Sequence, residues 1–263
     1  MAVYGVLADI HGNREGLSAV LSQLERRGVE RFVCLGDVVG YNADPDECVH
    51  MLRERRAVVI AGNHDLIGTG RLDFRRCSNK AEYSLKRTRR SLAPASAAYL
   101  AALPASHVLE DGVVLVHGSV RDVQQYMSTP ALIGQNAALL RSDFPGTRLC
   151  FFGHSHEQKV YELEGDDENG EVTEIVPQGR IFLQRHKTYF VNPGSVDASR
   201  KKEHKLAECA IFDSGQSSLE FLRLPYDCAA TEAKAAVFGY RILPWIDGLY
   251  TLRKRWARRL KFA

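Results

Sequence analysis

Five short polar clusters interrupt the chain, each directly after an apolar run: Asp9-Ile10-His11, Gly36-Asp37, Gly62-Asn63-His64-Asp65, His117-Gly118 and Gly153-His154-Ser155-His156. Their carboxylates, amide and imidazoles are oxygen and nitrogen donors. Such a mixture suits divalent or trivalent cations such as manganese, iron, zinc or nickel, and it lacks the thiolates of structural zinc sites. In Asp9-x-His11 and His154-x-His156 the paired side chains are two residues apart, so on or just past a strand they can be aimed at one ion. One such pair is weak evidence, because an isolated histidine is more often a surface or satisfied core residue. Five clusters at five strand ends carry far more weight. The glycines beside Asp37, Asn63, His117 and His154 let the backbone approach a small ligand, although each could be an ordinary turn residue.

The elements that must position these groups read as an α/β pattern with no internal repeat. Val3 to Ala8 forms a first strand, and the helix after it repeats Leu17, Val20, Leu21 and Leu24 at helical spacing and ends by Gly28. Phe32 to Leu35 and Ala57 to Ile60 are further strands, separated by a helix over Pro45 to Arg55. Helices are expected over Asn79 to Arg90 and Pro94 to Leu103, and strands over Val113 to Val116 and Arg148 to Phe152. From Lys159 the period changes to two, with Gly165 to Gly170 as a polar turn between extended segments. Extended runs at Thr188 to Val191, Ala210 to Phe212 and Leu219 to Leu222 continue this antiparallel pattern, and a helical region begins near Thr231. In α/β sheets the C-terminal strand edge is where loops converge on a crevice while the strands hold them rigid. The sequence does not say where one sheet ends and another begins.

In this order, Asp-x-His, Gly-Asp, Gly-Asn-His-Asp, His-Gly-Ser and Gly-His-Ser-His resemble the motifs of the calcineurin-like metallophosphoesterase superfamily, over Asp9 to about Val196. Asp9-Ile10-His11-Gly12-Asn13 and Asn192-Pro193-Gly194-Ser195-Val196 are most similar to its compact prokaryotic branch, which includes YfcE-type phosphodiesterases and diadenosine-tetraphosphatase-like proteins. The resemblance implies a four-layer α/β/β/α sandwich of two mixed β-sheets flanked by helices, with a metal site at the C-terminal edge of the strands. It implies two divalent or trivalent ions, manganese first and iron, zinc or nickel as alternatives. Asp9, His11 and His156 would hold one ion, Asn63, His117 and His154 the other, and Asp37 would bridge them. The implied reaction is hydrolysis of a phosphodiester or phosphomonoester, nucleotides included, by attack of a metal-bridging hydroxide. His64 would face the phosphate as a cation or general acid and Asp65 would orient its ring; the plainer readings are a supporting histidine and a helix N-cap. Asn13 would touch the phosphate or cap the next helix, the cap being favoured. The ligand set is complete, whereas relatives that keep this fold only as a scaffold usually have a broken one.

Specificity is expected from loops: Tyr41-Asn42, the basic stretch Arg71 to Arg76, and Lys86-Arg87-Arg89-Arg90. Relatives often carry a glycine near Asn42, so the substrate loop differs here. Arginine forks suit phosphate, yet a charge run on a helix is usually a solvated face.

At 263 residues, 45% hydrophobic and 25% charged, the chain is of ordinary globular composition. Six scattered cysteines without a C-x-x-C pair read as reduced and structural. With no long apolar run and no basic leader before Val3, the expected location is the cytoplasm. The net charge of +3 is uneven: Arg253, Lys254, Arg255, Arg258, Arg259 and Lys261 leave 29 basic against 32 acidic residues elsewhere. We therefore divide the chain into a metallophosphoesterase domain, residues 1–229, and a basic amphipathic helical extension, residues 230–263, packed on or beside it. In the extension Trp245, Leu249, Leu252, Trp256 and Leu260 share a helix face. The first expectation is that this stripe packs on the domain or on a second subunit of a homo-oligomer while the cations face water. An anionic membrane surface, or nucleic acid held by a nuclease, are the alternatives.

Overall fold

Apolar side chains alternate along β1 (Val3–Leu7), sending Val3 and Leu7 to one face and Tyr4 and Val6 to the other, so this strand is covered on both sides. The computed structural model describes residues 2–164, 171–198 and 204–259, with side chains as far as Trp256 at its C-terminal end. The polar turn expected at 165–170 and the residues after 259, Leu260 and Lys261 among them, lie outside the described residues. After β1 come α1 (Arg14–Arg26), β2 (Arg31–Cys34), α2 (Pro45–Glu54), β3 (Val58–Val59), α3 (Asn63–Gly68), α4 (Asn79–Ser91) and α5 (Pro94–Ala101). They are followed by β4 (Ser106–Val108), β5 (Val114–Val116), α6 (Pro130–Asp143), β6 (Leu149–Phe151), β7 (Gln158–Glu164) and β8 (Val172–Ile175). The chain continues through β9 (Arg180–Phe182), β10 (Lys187–Pro193), β11 (Ala207–Asp213), β12 (Ser218–Leu224), α7 (Cys228–Val237) and α8 (Pro244–Arg259).

The strands form two six-stranded mixed sheets, ordered β3-β2-β1-β11-β12-β9 and β4-β5-β6-β10-β7-β8. In the first, β1, β2 and β3 run parallel and β11 joins β1 antiparallel; in the second, β5, β6 and β10 run parallel. Between the sheets, Tyr4, Val6, Val33, Leu115, Phe151 and Val191 make one buried cluster. Outside the first sheet, Leu17, Leu21 and Leu24 of α1 pack with Val49 and Leu52 of α2 and Leu100 of α5. Outside the second, Ile133, Ala137 and Leu140 of α6 pack on Val116, Cys150 and Phe190. Three buried layers between four structural ones are the α/β/β/α sandwich. The sequence reading does not anticipate α6, although Thr129 caps it, Pro130 opens it and its buried residues fall at helical spacing. All six cysteines are free, and burial pushes the Cys34 thiol well up, which keeps it protonated and inert.

The two C-terminal helices dock through polar contacts. On α7, Thr231 donates to Asn13 Oδ1 (3.0 Å) and Glu15 Oε2 (2.9 Å), and Lys234 pairs with Glu15 and Asp44. On α8, Asp247 Oδ1 and Thr251 Oγ1 each accept from Asn79 Nδ2 at 2.9 Å, Lys254 Nζ donates to Cys77 O (2.7 Å), and Arg253 pairs with the buried Glu82 of α4. The stripe of Trp245, Leu249, Leu252 and Trp256 stands exposed. The stripe therefore does not pack on the domain, while Arg253 and Lys254 turn toward Glu82 and Arg255 stays exposed. A buried carboxylate needs partners more than the apolar side chains need cover, and it draws Arg253 and Lys254 inward. No helix among the described residues is long and apolar enough to cross a membrane.

The first sheet depends on close docking of α1. A Cβ at Gly5 would lie 2.7 Å from Leu24 Cδ1, and Leu24 is fully buried. Leu24→Ala should cost about 2–5 kcal/mol, read as a lower urea midpoint; an unchanged midpoint would mean that this interface does not carry the fold.

Candidate metal centre

The loops after β1, β2, β3, β5 and β6 all open on one edge, and hydrogen bonds zip them together. Asp9 N and His11 N donate to Gly36 O (3.1 Å) and Asp37 O (2.8 Å), Gly12 N to Val38 O (2.8 Å), and Asn42 N back to His11 O (2.9 Å). Across the sheets, His154 N donates to Asp9 Oδ2 (3.0 Å). Five of the candidate ligands have left-handed backbones: Asp9 (φ 55°), His11 (53°), Asp37 (54°), His154 (66°) and His156 (62°). Non-glycine residues rarely adopt this region, at a cost of roughly 1–3 kcal/mol each, and they persist there only where the surroundings over-determine them. One glycine is also explained. A Cβ at Gly62 would sit 2.1 Å from Asp37 Oδ1, so only glycine lets the β2 and β3 loops meet.

The side chains these loops carry converge. Asp9 Oδ1 lies 3.5 Å from His156 Nε2 and 3.9 Å from His11 Nε2, and the two histidine nitrogens are 3.1 Å apart. On the other side, His117 Nε2 lies 3.1 Å from Asn63 Oδ1. Asp37 Oδ2 stands between the halves, 3.7 Å from His11 Nε2 and 3.4 Å from His117 Nε2, while its Oδ1 accepts from His64 N (2.7 Å). His154 groups with Asp37 and His117, and His64 with His11 and Asp37. Val39 O lies 3.3 Å from His11 Nδ1 and Leu35 O lies 2.7 Å from His117 Nδ1. A carbonyl only accepts, so the ring proton belongs on Nδ1 and the Nε2 lone pair faces inward. Lone pairs and carboxylates aimed at one another repel unless a cation lies among them. The residues present thus fit a metal of mixed oxygen and nitrogen preference.

Without a metal ion among them, the same groups draw in a proton, which a metal would have to displace. Burial opposes ionisation of Asp37, but the rings of His117, His64 and His11 hold its carboxyl well below the usual range. Burial likewise disfavours a charged His117, yet the Asp37 carboxylate outweighs it and pushes the imidazole up to about 9. Burial, with Asp37 nearby, pushes Asp65 up to about 7.

The structure brings Asp9, His11, Asp37, Asn63, His117, His154 and His156 to this one edge with His64 beside them, all buried. One expected role changes. Asp65 Oδ1 accepts from Val39 N (3.2 Å) and Oδ2 from Gly62 N (2.9 Å), so it caps α3 and pins the β2 loop rather than orienting the His64 ring. Asn13 takes the favoured one of its two roles: it caps α1 by accepting from Gly16 N (2.9 Å), and its amide donates to Asp197 Oδ1 (3.2 Å) in full burial, so it is support rather than the substrate contact that was the alternative. The basic stretches are largely structural as well. Arg71 donates to Ala101 O and Leu103 O, Arg76 pairs with Asp122, Lys86 with Glu82, and Arg89 donates to Ile67 O.

Sequence reasoning missed several groups that line or support the centre. Tyr126 stacks on His154 with centroids 4.1 Å apart and is half exposed. Tyr41, which the sequence reading did name in a specificity loop, packs edge-on to His11 and tilted against His64, each at 4.8 Å, with Lys80 Nζ 5.3 Å from its ring centre. Beneath, Asp197 accepts from both Asn13 and Asn42, and Ser195 Oγ donates to Asp9 O (3.0 Å) and Asp197 O (2.8 Å). The Asn192-Pro193-Gly194-Ser195-Val196 segment pointed to this underlayer; nothing in the sequence marked Tyr126 or Lys80.

Comparison with known proteins places the chain in a family. The calcineurin-like phosphoesterase superfamily domain matches residues 1–217. An uncharacterised protein of Methanocaldococcus jannaschii is 30% identical over 235 residues, covering 86% of this chain and 88% of its own. The crystal structure of a metallophosphoesterase from Sphaerobacter thermophilus superposes with a TM-score of 0.75 at 28% identity, over 94% of this chain and 97% of that one. A hypothetical protein from Pyrococcus horikoshii shares the fold, with a TM-score of 0.71 at 18% identity over 95% and 97% of the two chains. With the family match spanning most of its length, the chain belongs to the calcineurin-like phosphoesterase superfamily and is one of its metal-dependent phosphoric ester hydrolases.

Proposed function

We propose that this protein hydrolyses a small phosphodiester or phosphomonoester, a nucleotide or similar aromatic-bearing ester being favoured, with two bound cations, manganese first. The observation that supports two ions is the position of Asp37 Oδ2, within 3.7 Å of His11 Nε2 and 3.4 Å of His117 Nε2. A carboxylate there can serve both halves while its charge reduces the repulsion between two cations. Asp9, His11 and His156 would hold one ion, and Asn63, His117 and His154 the other. Together the ions supply water activated near neutral pH and a clamp on the phosphoryl oxygens. The chain's own groups do the rest. Val39 O and Leu35 O keep His11 and His117 in the tautomer that ligates. His64, fixed through its backbone N–H on Asp37, is proposed to steady the equatorial oxygens or protonate the leaving oxygen. Tyr126, backed by His154, offers an aromatic face at the rim for the leaving group. Use of the basic tail by a nuclease is less favoured, because Arg253 and Lys254 already pair with Glu82.

Turnover of the manganese-loaded protein on bis-p-nitrophenyl phosphate, p-nitrophenyl phosphate, cyclic nucleotides, diadenosine polyphosphates and single-stranded DNA tests this reading. Asp37→Ala should lose both activity and most bound metal by elemental analysis. His64→Ala should keep its metal and lose about 10²–10⁴-fold in kcat. Metal-loaded wild type that cleaves nothing on the panel with any ion would turn the assignment toward a scaffold or a substrate outside these classes. Tyr126→Ala should raise KM for nucleoside or aryl esters roughly fivefold or more, as the loss of about 1–3 kcal/mol of stacking predicts. Tyr126→Phe should not, and equal KM values for all three proteins would remove the platform.

A further inference from the structure

Eleven large apolar side chains stand exposed among the described residues, and seven of them lie between Val237 and Trp256. Four line one face of α8: Trp245 is 66% exposed, Leu249 55%, Leu252 52% and Trp256 68%. At about 100° per residue these four fall within roughly a 60° arc. The side chains that dock α8 on α4, namely Asp247, Tyr250, Thr251, Arg253 and Lys254, centre on the opposite side. The stripe therefore points directly away from the protein, held outward by polar contacts on the far side of its own helix.

Charge decides what can cover it. Arg255 follows the stripe on one border and Arg253, already paired with Glu82, on the other, and the sequence adds Arg258, Arg259 and Lys261 with no acid after Asp247. Asp247 itself is on the docked side, accepting from Asn79. Pairing the stripe with that of a second copy, parallel or antiparallel, would set basic borders against basic borders, and Glu82 is already shared among Lys86, Arg253 and Lys254. An anionic lipid surface takes both features at once. Tryptophan and leucine enter the boundary between headgroups and acyl chains, and the Arg255 guanidinium, with the basic residues that follow it in the sequence, meets lipid phosphates. We infer that α8 is an interfacial helix that seats this enzyme on an anionic membrane surface, with Trp245, Leu249, Leu252 and Trp256 as the inserted face. The helix docks on α4, whose Lys80 stands over Tyr41 beside His64, so one element joins the surface contact to the catalytic edge.

Trp245 and Trp256 are the only tryptophans in the chain, so intrinsic emission reports on this face alone. The test is tryptophan fluorescence and co-sedimentation of the full-length, metal-loaded protein with vesicles of phosphatidylcholine, alone or mixed equally with phosphatidylglycerol. The expected result is a blue shift and a partition about tenfold or more stronger on the mixed vesicles, weakened by salt. Leu249→Ser with Leu252→Ser should abolish the shift, and Arg255→Glu should weaken it, both with unchanged turnover of a soluble p-nitrophenyl ester. No shift with either vesicle, or equal binding to both, overturns the inference. So does a vesicle-independent, concentration-dependent blue shift accompanied by a dimer mass in light scattering, which would make a second copy the occupant. A shift produced by single-stranded DNA and not by vesicles overturns it equally.

Discussion

Mutual repulsion among convergent electron-rich groups is the constraint on which the rest of this molecule turns. Two carboxylates, an amide oxygen and imidazole nitrogens approach one another to between 3.1 and 3.9 Å. Without a metal ion or a proton among them such groups would splay apart, so the scaffold must hold them until one repays the cost. Two sheets supply the rigidity. Each contributes parallel strands whose C-terminal ends meet at the same edge, and the shared Asp9 carboxylate, facing His156 with one oxygen and accepting from His154 N with the other, ties one sheet to the other.

The left-handed residues follow from the same demand. An extended strand delivers its side chains to alternate faces of a sheet, whereas a ligand must point past the sheet's end. Turning φ positive at Asp9, Asp37 and His154 re-aims each chain at the end of its strand, and His11 and His156 repeat the turn two residues on. Backbone bonds between neighbouring loops over-determine these conformations, and Gly62 permits the contact that an alanine would block. Beneath them, Asn13, Asn42, Ser195 and Asp197 form a buried polar layer that fixes the loops from below. Asp65 belongs to this support: its carboxylate binds two backbone N–H groups and so sets where α3, and with it Asn63 and His64, begins.

Charge pairing shapes the C-terminal end by the same logic with opposite sign. Glu82 is a carboxylate buried on α4, and it gathers Lys86, Arg253 and Lys254. Those contacts fix which side of α8 faces the protein and leave its apolar side in solvent. An amphipathic pattern specifies that a helix has two faces, but here the partner's buried acid chooses which one turns inward.

The sequence by itself determined the periodic elements and the chemistry of the centre. Leu17, Val20, Leu21 and Leu24 name the buried face of α1 because helical periodicity is local, and five polar clusters after five apolar runs name the strand ends because each strand stops where its apolar run stops. Even the overlooked α6 had its signals in Thr129, Pro130 and the spacing of Ile133, Ala137 and Leu140. Tertiary structure alone decided the division of the sheets: β9 and β10 are near neighbours in the chain yet join different sheets, because pairing depends on which strand edge is open after the earlier strands have packed. It also chose the cap for Asn13 and backbone support for Asp65, since a side chain that can bind either a ligand or a loop takes the partner the fold brings within reach. Tyr126 reaches His154 through space rather than along the chain, and the facing of α8 was set by Glu82 more than 160 residues away; interactions of that range leave no local pattern to read.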